Sequence, residues 1–89
     1  MSTIAIIGAG RGVGAHGARR FGAEGFEIIL VSRNQAHVDE LAAELNAEGL
    51  HARGYQANVR DAAGLAATLD RAAGEMGRID VLVYQPLPQ

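Results

Sequence analysis

The stretch IAIIGAGRGVGAHGARRF, Ile4 to Phe21, decides how the chain is read. It joins an apolar, strand-like run to a helix-like run through five glycines between Gly8 and Gly17. Such a joint reverses the chain sharply after a strand. Having no Cβ, glycine permits both the reversal and a close approach of another molecule to the backbone. The question posed by the stretch is what sits against that backbone.

The flanking sequence repeats the alternation of short apolar runs with longer amphipathic ones. Thr3–Ile7 reads as a buried strand, and Val13–Glu24 as a helix with Val13, Gly17, Ala18 and Phe21 on one face and Gly25 as a stop. Glu27–Ser32 is a second buried strand. Gln35–Glu48 is a second helix, with an apolar stripe of Val38, Leu41, Ala42 and Leu45, Asn34 as its cap and Gly49 at its C′ position. His51–Gln56 is a weaker strand. Asp61 can cap a third helix, whose stripe is Leu65, Leu69, Ala72, Ala73 and Met76 and whose end is Gly77. Asp80–Tyr84 is a fourth strand, and prolines follow it that a central strand could not accommodate. This β-α-β-α-β-α-β alternation predicts an α/β fold with a parallel sheet. Right-handed crossovers place the first two helices on one face. If the fourth strand pairs beside the first, the order is 3-2-1-4, the third helix covers the other face, and the result is a partial doubly wound sheet.

Length and composition narrow the classes. The chain has 89 residues, which suits one small domain with a modest core. It has no cysteine, which excludes disulfides and thiolate metal sites and fits a reducing, cytoplasmic setting. The formal charge is −2 with acids and arginines scattered, so neither nucleic acid nor an anionic membrane is an expected partner. The apolar runs fall far short of the ~20 residues of a membrane span. The opening MSTIAIIG lacks the basic and long apolar regions of a secretory signal. His16, His37 and His51 have no metal-ligand spacing, and no metal site is expected. Asp39, Glu40, Glu44 and Glu48 read as the solvated side of one helix.

The glycines fit an anion-binding turn, in which a helix N-terminus points its free N–H groups and positive dipole end at a phosphate. Their frame is informative. Read from Gly8, the pattern G-x-G-x-x-G would need glycine at position 13, which is Val13; read from Gly12 it completes at Gly17 but begins too far from the strand end. The frame that starts at the strand end is Gly8-x-x-x-Gly12-x-Gly14. This spacing resembles the short-chain dehydrogenase/reductase family. So do GVGAHGARRFGAEGFEIILVSRN, which is similar to that family's first helix and second strand, ANVRD after the third strand, and GRIDVLV approaching the fourth. The likeness extends to Val83 and implies a Rossmann-type NADP(H)-binding half-domain over residues 1–89, the front part of a longer chain.

The resemblance, with the residues at the strand ends, yields a candidate cofactor set. Gly8, Gly10, Gly12, Val13 and Gly14 shape the pyrophosphate turn. Arg11, Ser32, Arg33 and Asn34 lie where the ribose and its 2′ substituent are read. The second strand ends VSRN, with no acid until Asp39 inside the next helix, whereas an acid near this point usually grips the ribose hydroxyls of NAD. NADP-dependent members carry a basic residue at one or both of the places held here by Arg11 and Arg33. Asn58 stands where the family commonly has an aspartate that accepts from the adenine amino group, and it could equally be a turn residue; Val59 would pack near the adenine.

The chain departs from the family in two ways. The family's proton relay is a tyrosine with a lysine four residues later; all eight basic residues here are arginine, so no catalytic residue is assigned within the chain. After the fourth strand the family usually has Asn-Asn-Ala-Gly, where this chain reads Tyr84-Gln85-Pro86-Leu87. The expectation is the NADP(H)-binding portion of an oxidoreductase that moves hydride to or from a small carbonyl or alcohol substrate. The alternatives are a non-catalytic NADP(H) sensor or structural module and a cofactor-free interaction domain. The fourth strand would be an open apolar edge, so self-association into a homo-oligomer is expected.

Overall fold

The computed structural model describes residues 2–8, 13–58 and 60–84. Its elements are β1 (Thr3–Ile7), α1 (Val13–Ala23), β2 (Glu27–Ser32), α2 (Gln35–Ala47), β3 (Ala52–Gln56), α3 (Ala62–Met76) and β4 (Val81–Tyr84). The strands form one parallel sheet in the order β3-β2-β1-β4, the order expected from the alternation. Boundaries differ from expectation by one residue at α1, α2, β3 and β4, for local reasons. Glu48 leaves helical geometry as the C-cap of α2. Asp80 precedes β4 because its side chain replaces the ladder there: Asp80 Oδ2 accepts from the Thr3 N–H at 3.0 Å, while the Asp80 N–H donates to the Thr3 carbonyl at 2.8 Å.

β1 and β2 are apolar on both faces, which obliges the chain to cover both. Ile4, Ile6, Ile28 and Leu30 pack with Ala18 of α1 and with Val38, Leu41, Ala42 and Leu45 of α2. Ala5, Ile7, Ile29 and Val31 pack on the opposite face with Tyr55, Ala57 and Ala72 of α3. The α3 stripe is only partly covered: Ala72 is buried, while Leu65, Leu69 and Met76 lie half-buried against the same cluster. The helix lies over β2 and β3. Val81 and Val83 of β4 therefore meet the α1 and α2 side, while Leu82 and Tyr84 are exposed on the other. Among the described residues, no helix is long and apolar enough to cross a membrane.

α1 and α2 end in the same way. Gly25 and Gly49 adopt φ of +93° and +90°, and each lets the next residue bond back into the helix. Phe26 N–H donates to the Phe21 carbonyl and Gly25 N–H to that of Gly22; Leu50 and Gly49 bond likewise to Leu45 and Asn46. This closure is the Schellman motif, which pairs a hydrophobic contact with the turn. Phe21 and Phe26 supply that contact, edge to face with centroids 5.3 Å apart. Asn46, which its helical position alone would give to solvent, spans to β3: its amide donates to the Ala52 carbonyl and accepts from the Ala52 N–H, both at 2.9 Å. Arg19 and Glu48 tie α1 to α2 through an exposed bidentate pair at 2.8–3.0 Å. The hydrogen bond from Arg19 holds the Glu48 carboxyl below the usual carboxylate range.

Two contacts fix the helices over β3. On one face, α2 approaches so closely that a Cβ at Gly54 would stand 2.7 Å from the Val38 carbonyl carbon. On the other, the buried Tyr55 donates its hydroxyl to Glu75 of α3 at 2.5 Å, and Arg71 lies over its ring, 5.4 Å from the centroid. Burial, then the bond to Glu75, pushes the Tyr55 hydroxyl up to about 12.

Gly54→Ala must displace backbone and should destabilise the protein by about 1–3 kcal/mol. The same change at Gly74, a helical glycine with open space where a Cβ would stand, should instead stabilise by roughly 0.5–1 kcal/mol. Urea unfolding of both variants tests this difference in sign. A second outcome follows from Tyr55. The unfolded chain gives up this proton near pH 10 and the fold only near 12, so the fold binds more protons in between. The contribution of Tyr55 is therefore whole below pH 10 and is lost as pH rises toward 12. Tyr55→Phe should flatten that alkaline decline, which chemical denaturation at a series of pH values would read.

Candidate functional site

In a doubly wound sheet, ligands settle beyond the C-terminal ends of the strands, where successive crossovers leave for opposite faces. Here the switch lies between β1 and β4. The crossover from β1 to β2 runs over one face through α1, and that from β3 to β4 over the other through α3. Gly8, Ser32, Arg33, Asn34 and Asn58, at the ends of β1, β2 and β3, come to this one edge.

Gly8 follows β1 with φ of 82°, and its N–H donates to the Val31 carbonyl at 2.8 Å, extending the ladder to β2. Gly10, Arg11 and Gly12 lie outside the described residues. Val13 and Gly14 open α1, whose first turn carries no acid, so the positive end of that helix meets no carboxylate of its own.

At the next strand end, Ser32 is buried and its neighbours are tied down. The Ser32 carbonyl accepts from the Ala57 N–H at 2.9 Å, and its hydroxyl accepts from the Asn34 N–H at 3.3 Å. Asn34 is the N-cap of α2, its side chain accepting from the His37 N–H at 3.3 Å, so its side-chain oxygen already serves the fold. Arg33, between the two, is exposed and has no ion-pair partner among the described residues. Asp39, the next carboxylate along the chain, lies a turn into α2 and accepts a bond from Gln35 at 2.7 Å. The end of β2 thus carries an exposed arginine and, among the described residues, no carboxylate between Ser32 and Asp39.

Beyond β3, Asn58 lies in a turn. Its Oδ1 accepts from the Arg60 N–H and its carbonyl from the Asp61 N–H, both at 2.9 Å. Asp61 then caps α3 through the Gly64 N–H at 3.1 Å. The turn role of Asn58 is realised, and among the described residues its side-chain NH2 makes no hydrogen bond. Val59 lies outside the described residues. Among the described residues no group of three or more histidine or acidic side chains could hold a metal ion.

Sequence reasoning missed one participant. Gln56, read only as the last residue of a weak strand, donates its side-chain amide to the Arg33 carbonyl at 2.9 Å. Nothing in its local sequence marks it. The contact exists because parallel pairing sets Gln56 opposite Ser32.

Known proteins share this fold and sequence pattern. The family model for short chain dehydrogenases matches residues 2–85. The short-chain reductase protein NovJ of Streptomyces niveus is 40% identical over 82 residues, covering 92% of this chain and 31% of its own. The 2,3-dihydro-2,3-dihydroxybenzoate dehydrogenase of Bacillus subtilis is 38% identical over 78 residues, covering 88% of this chain and 30% of its own. Among solved structures, an actinorhodin polyketide ketoreductase with NADPH superposes with a TM-score of 0.85 at 30% identity, over 94% of this chain and 33% of that one. The chain thus spans about a third of the length of such relatives. With the family model running almost end to end and the sheet in the family's order, the chain belongs to the short-chain dehydrogenase/reductase family.

Proposed function

We propose that residues 1–89 form the NADP(H)-binding half-domain of an oxidoreductase acting on a small carbonyl or alcohol substrate. The observation that carries the choice of dinucleotide is the end of β2, where exposed Arg33 follows buried Ser32 beside Gly8 and no carboxylate intervenes before Asp39. When bound, the nicotinamide supplies the hydride chemistry. The chain's own residues hold the dinucleotide. Gly8 and the N-terminus of α1, with Gly10, Gly12, Val13 and Gly14, cradle the pyrophosphate. Arg33 meets the 2′-phosphate, with Arg11 from the glycine turn, Ser32 and Asn34 shaping its surroundings. Asn58 and Val59 receive the adenine.

The chain contains no lysine and hence no Tyr-x-x-x-Lys relay, so in this reading proton transfer falls to residues outside these 89. The same absence, with Tyr84-Gln85-Pro86 in place of the family's asparagines, favours the second reading, a non-catalytic NADP(H)-binding module. The exposed Leu82 and Tyr84 on edge strand β4 support self-association in the assembled protein.

Arg33→Ala should weaken NADP(H) binding by about tenfold or more, because a charge-assisted pair with phosphate is worth roughly 1.5–3 kcal/mol and exposure favours the lower end. NAD(H) binding should be almost unchanged. Titration of both dinucleotides against both proteins measures the difference. Equal losses would reduce Arg33 to a structural residue.

A further inference from the structure

We propose that Gln56 is a positioning residue for Arg33, and that discrimination for the 2′-phosphate depends on this contact between β3 and the end of β2. The inference rests on the NADP(H) reading above and extends it to a residue that does not touch the ligand. Gln56 closes β3 and is paired in register with Ser32. Its side chain lies on the α2 side of the sheet, since β3 turns Tyr55 toward α3 and its alternate residues the other way. From there Nε2 reaches the Arg33 carbonyl at 2.9 Å.

The residues on either side of Arg33 are held by other bonds. Ser32 is fixed by the Ala57 N–H, and Asn34 is fixed by the Ser32 hydroxyl and by its own capping bond. The Gln56 amide restrains the peptide plane that follows Arg33 and so limits rotation about its ψ. That rotation would swing the direction in which the Arg33 side chain leaves the backbone. A guanidinium pairs with phosphate through a fixed fork of donors, so its binding strength depends on direction as well as distance. NAD(H) has no group for that fork, so loosening Arg33 penalises NADP(H) selectively. The flexible arginine stem recovers part of the loss, and the contribution is correspondingly smaller than that of the guanidinium.

The test is a double-mutant cycle in the protein expressed from its natural reading frame, read by equilibrium titration of NADP(H) and NAD(H). Gln56→Met keeps the length of the side chain and removes the donor. It should weaken NADP(H) by about two- to fivefold, the lower part of the range for one neutral hydrogen bond, and leave NAD(H) unchanged. Gln56→Asn, whose amide is one methylene short, should do the same and guards against a folding defect particular to methionine. In the Arg33→Ala background Gln56→Met should have no further effect on either ligand. Equal losses for both dinucleotides, no loss at all, or an undiminished loss without Arg33 would each overturn the proposal. If Arg33→Ala alone leaves the discrimination intact, the assignment of Arg33 falls and this one with it.

Discussion

Two-sided burial of β1 and β2 is the constraint from which the rest of this structure follows. Ile4, Ala5, Ile28, Ile29, Leu30 and Val31 are wholly removed from solvent, and they alternate between the two faces of the sheet. A sheet that is apolar on both sides has to be covered on both. A parallel sheet also needs a long crossover between neighbouring strands, and helices satisfy both demands at once. The hand of the crossover then puts α1 and α2 on one face, and α3 reaches the other because β4 pairs with β1 and not with β3. Every strand runs the same way, so every C-terminal end arrives at one edge. The candidate site is a by-product of that direction.

Polar contacts that have little to do with the apolar core fix both edges of the sheet. At the N-terminal edge Asn46 bonds both backbone groups of Ala52 and Asp80 exchanges bonds with Thr3; at the C-terminal edge Gln56 holds the Arg33 carbonyl. Each joins segments that the sheet ladder leaves off at its margins. The apolar contacts set which elements lie against one another; these bonds set where the ends stop.

The two faces of the sheet are not equal. The α1 and α2 side is closed by matching helix ends, by the close pass of Val38 over Gly54 and by the Arg19–Glu48 pair. The α3 side has one helix over β2 and β3, secured by Tyr55 and Glu75, and leaves Leu82 and Tyr84 of β4 in solvent. This asymmetry accords with a chain that spans about a third of its relatives' length.

The element order, the parallel sheet, the capping roles of Asn34 and Asp61 and the family frame of glycines were legible in the sequence alone. They are local matters: hydrophobic period, side chains that bond the backbone two or three residues away, and glycines where a helix must end. The arginine at the end of the second strand was legible too, because its place depends only on where that strand stops. Gln56, Asn46 and the close pass at Gly54 were not. Each owes its role to a partner brought alongside by strand register or by the packing of a helix across the sheet. Whether a glutamine side chain meets a carbonyl or water is decided by a distance between separate strands, and only the assembled fold sets that distance.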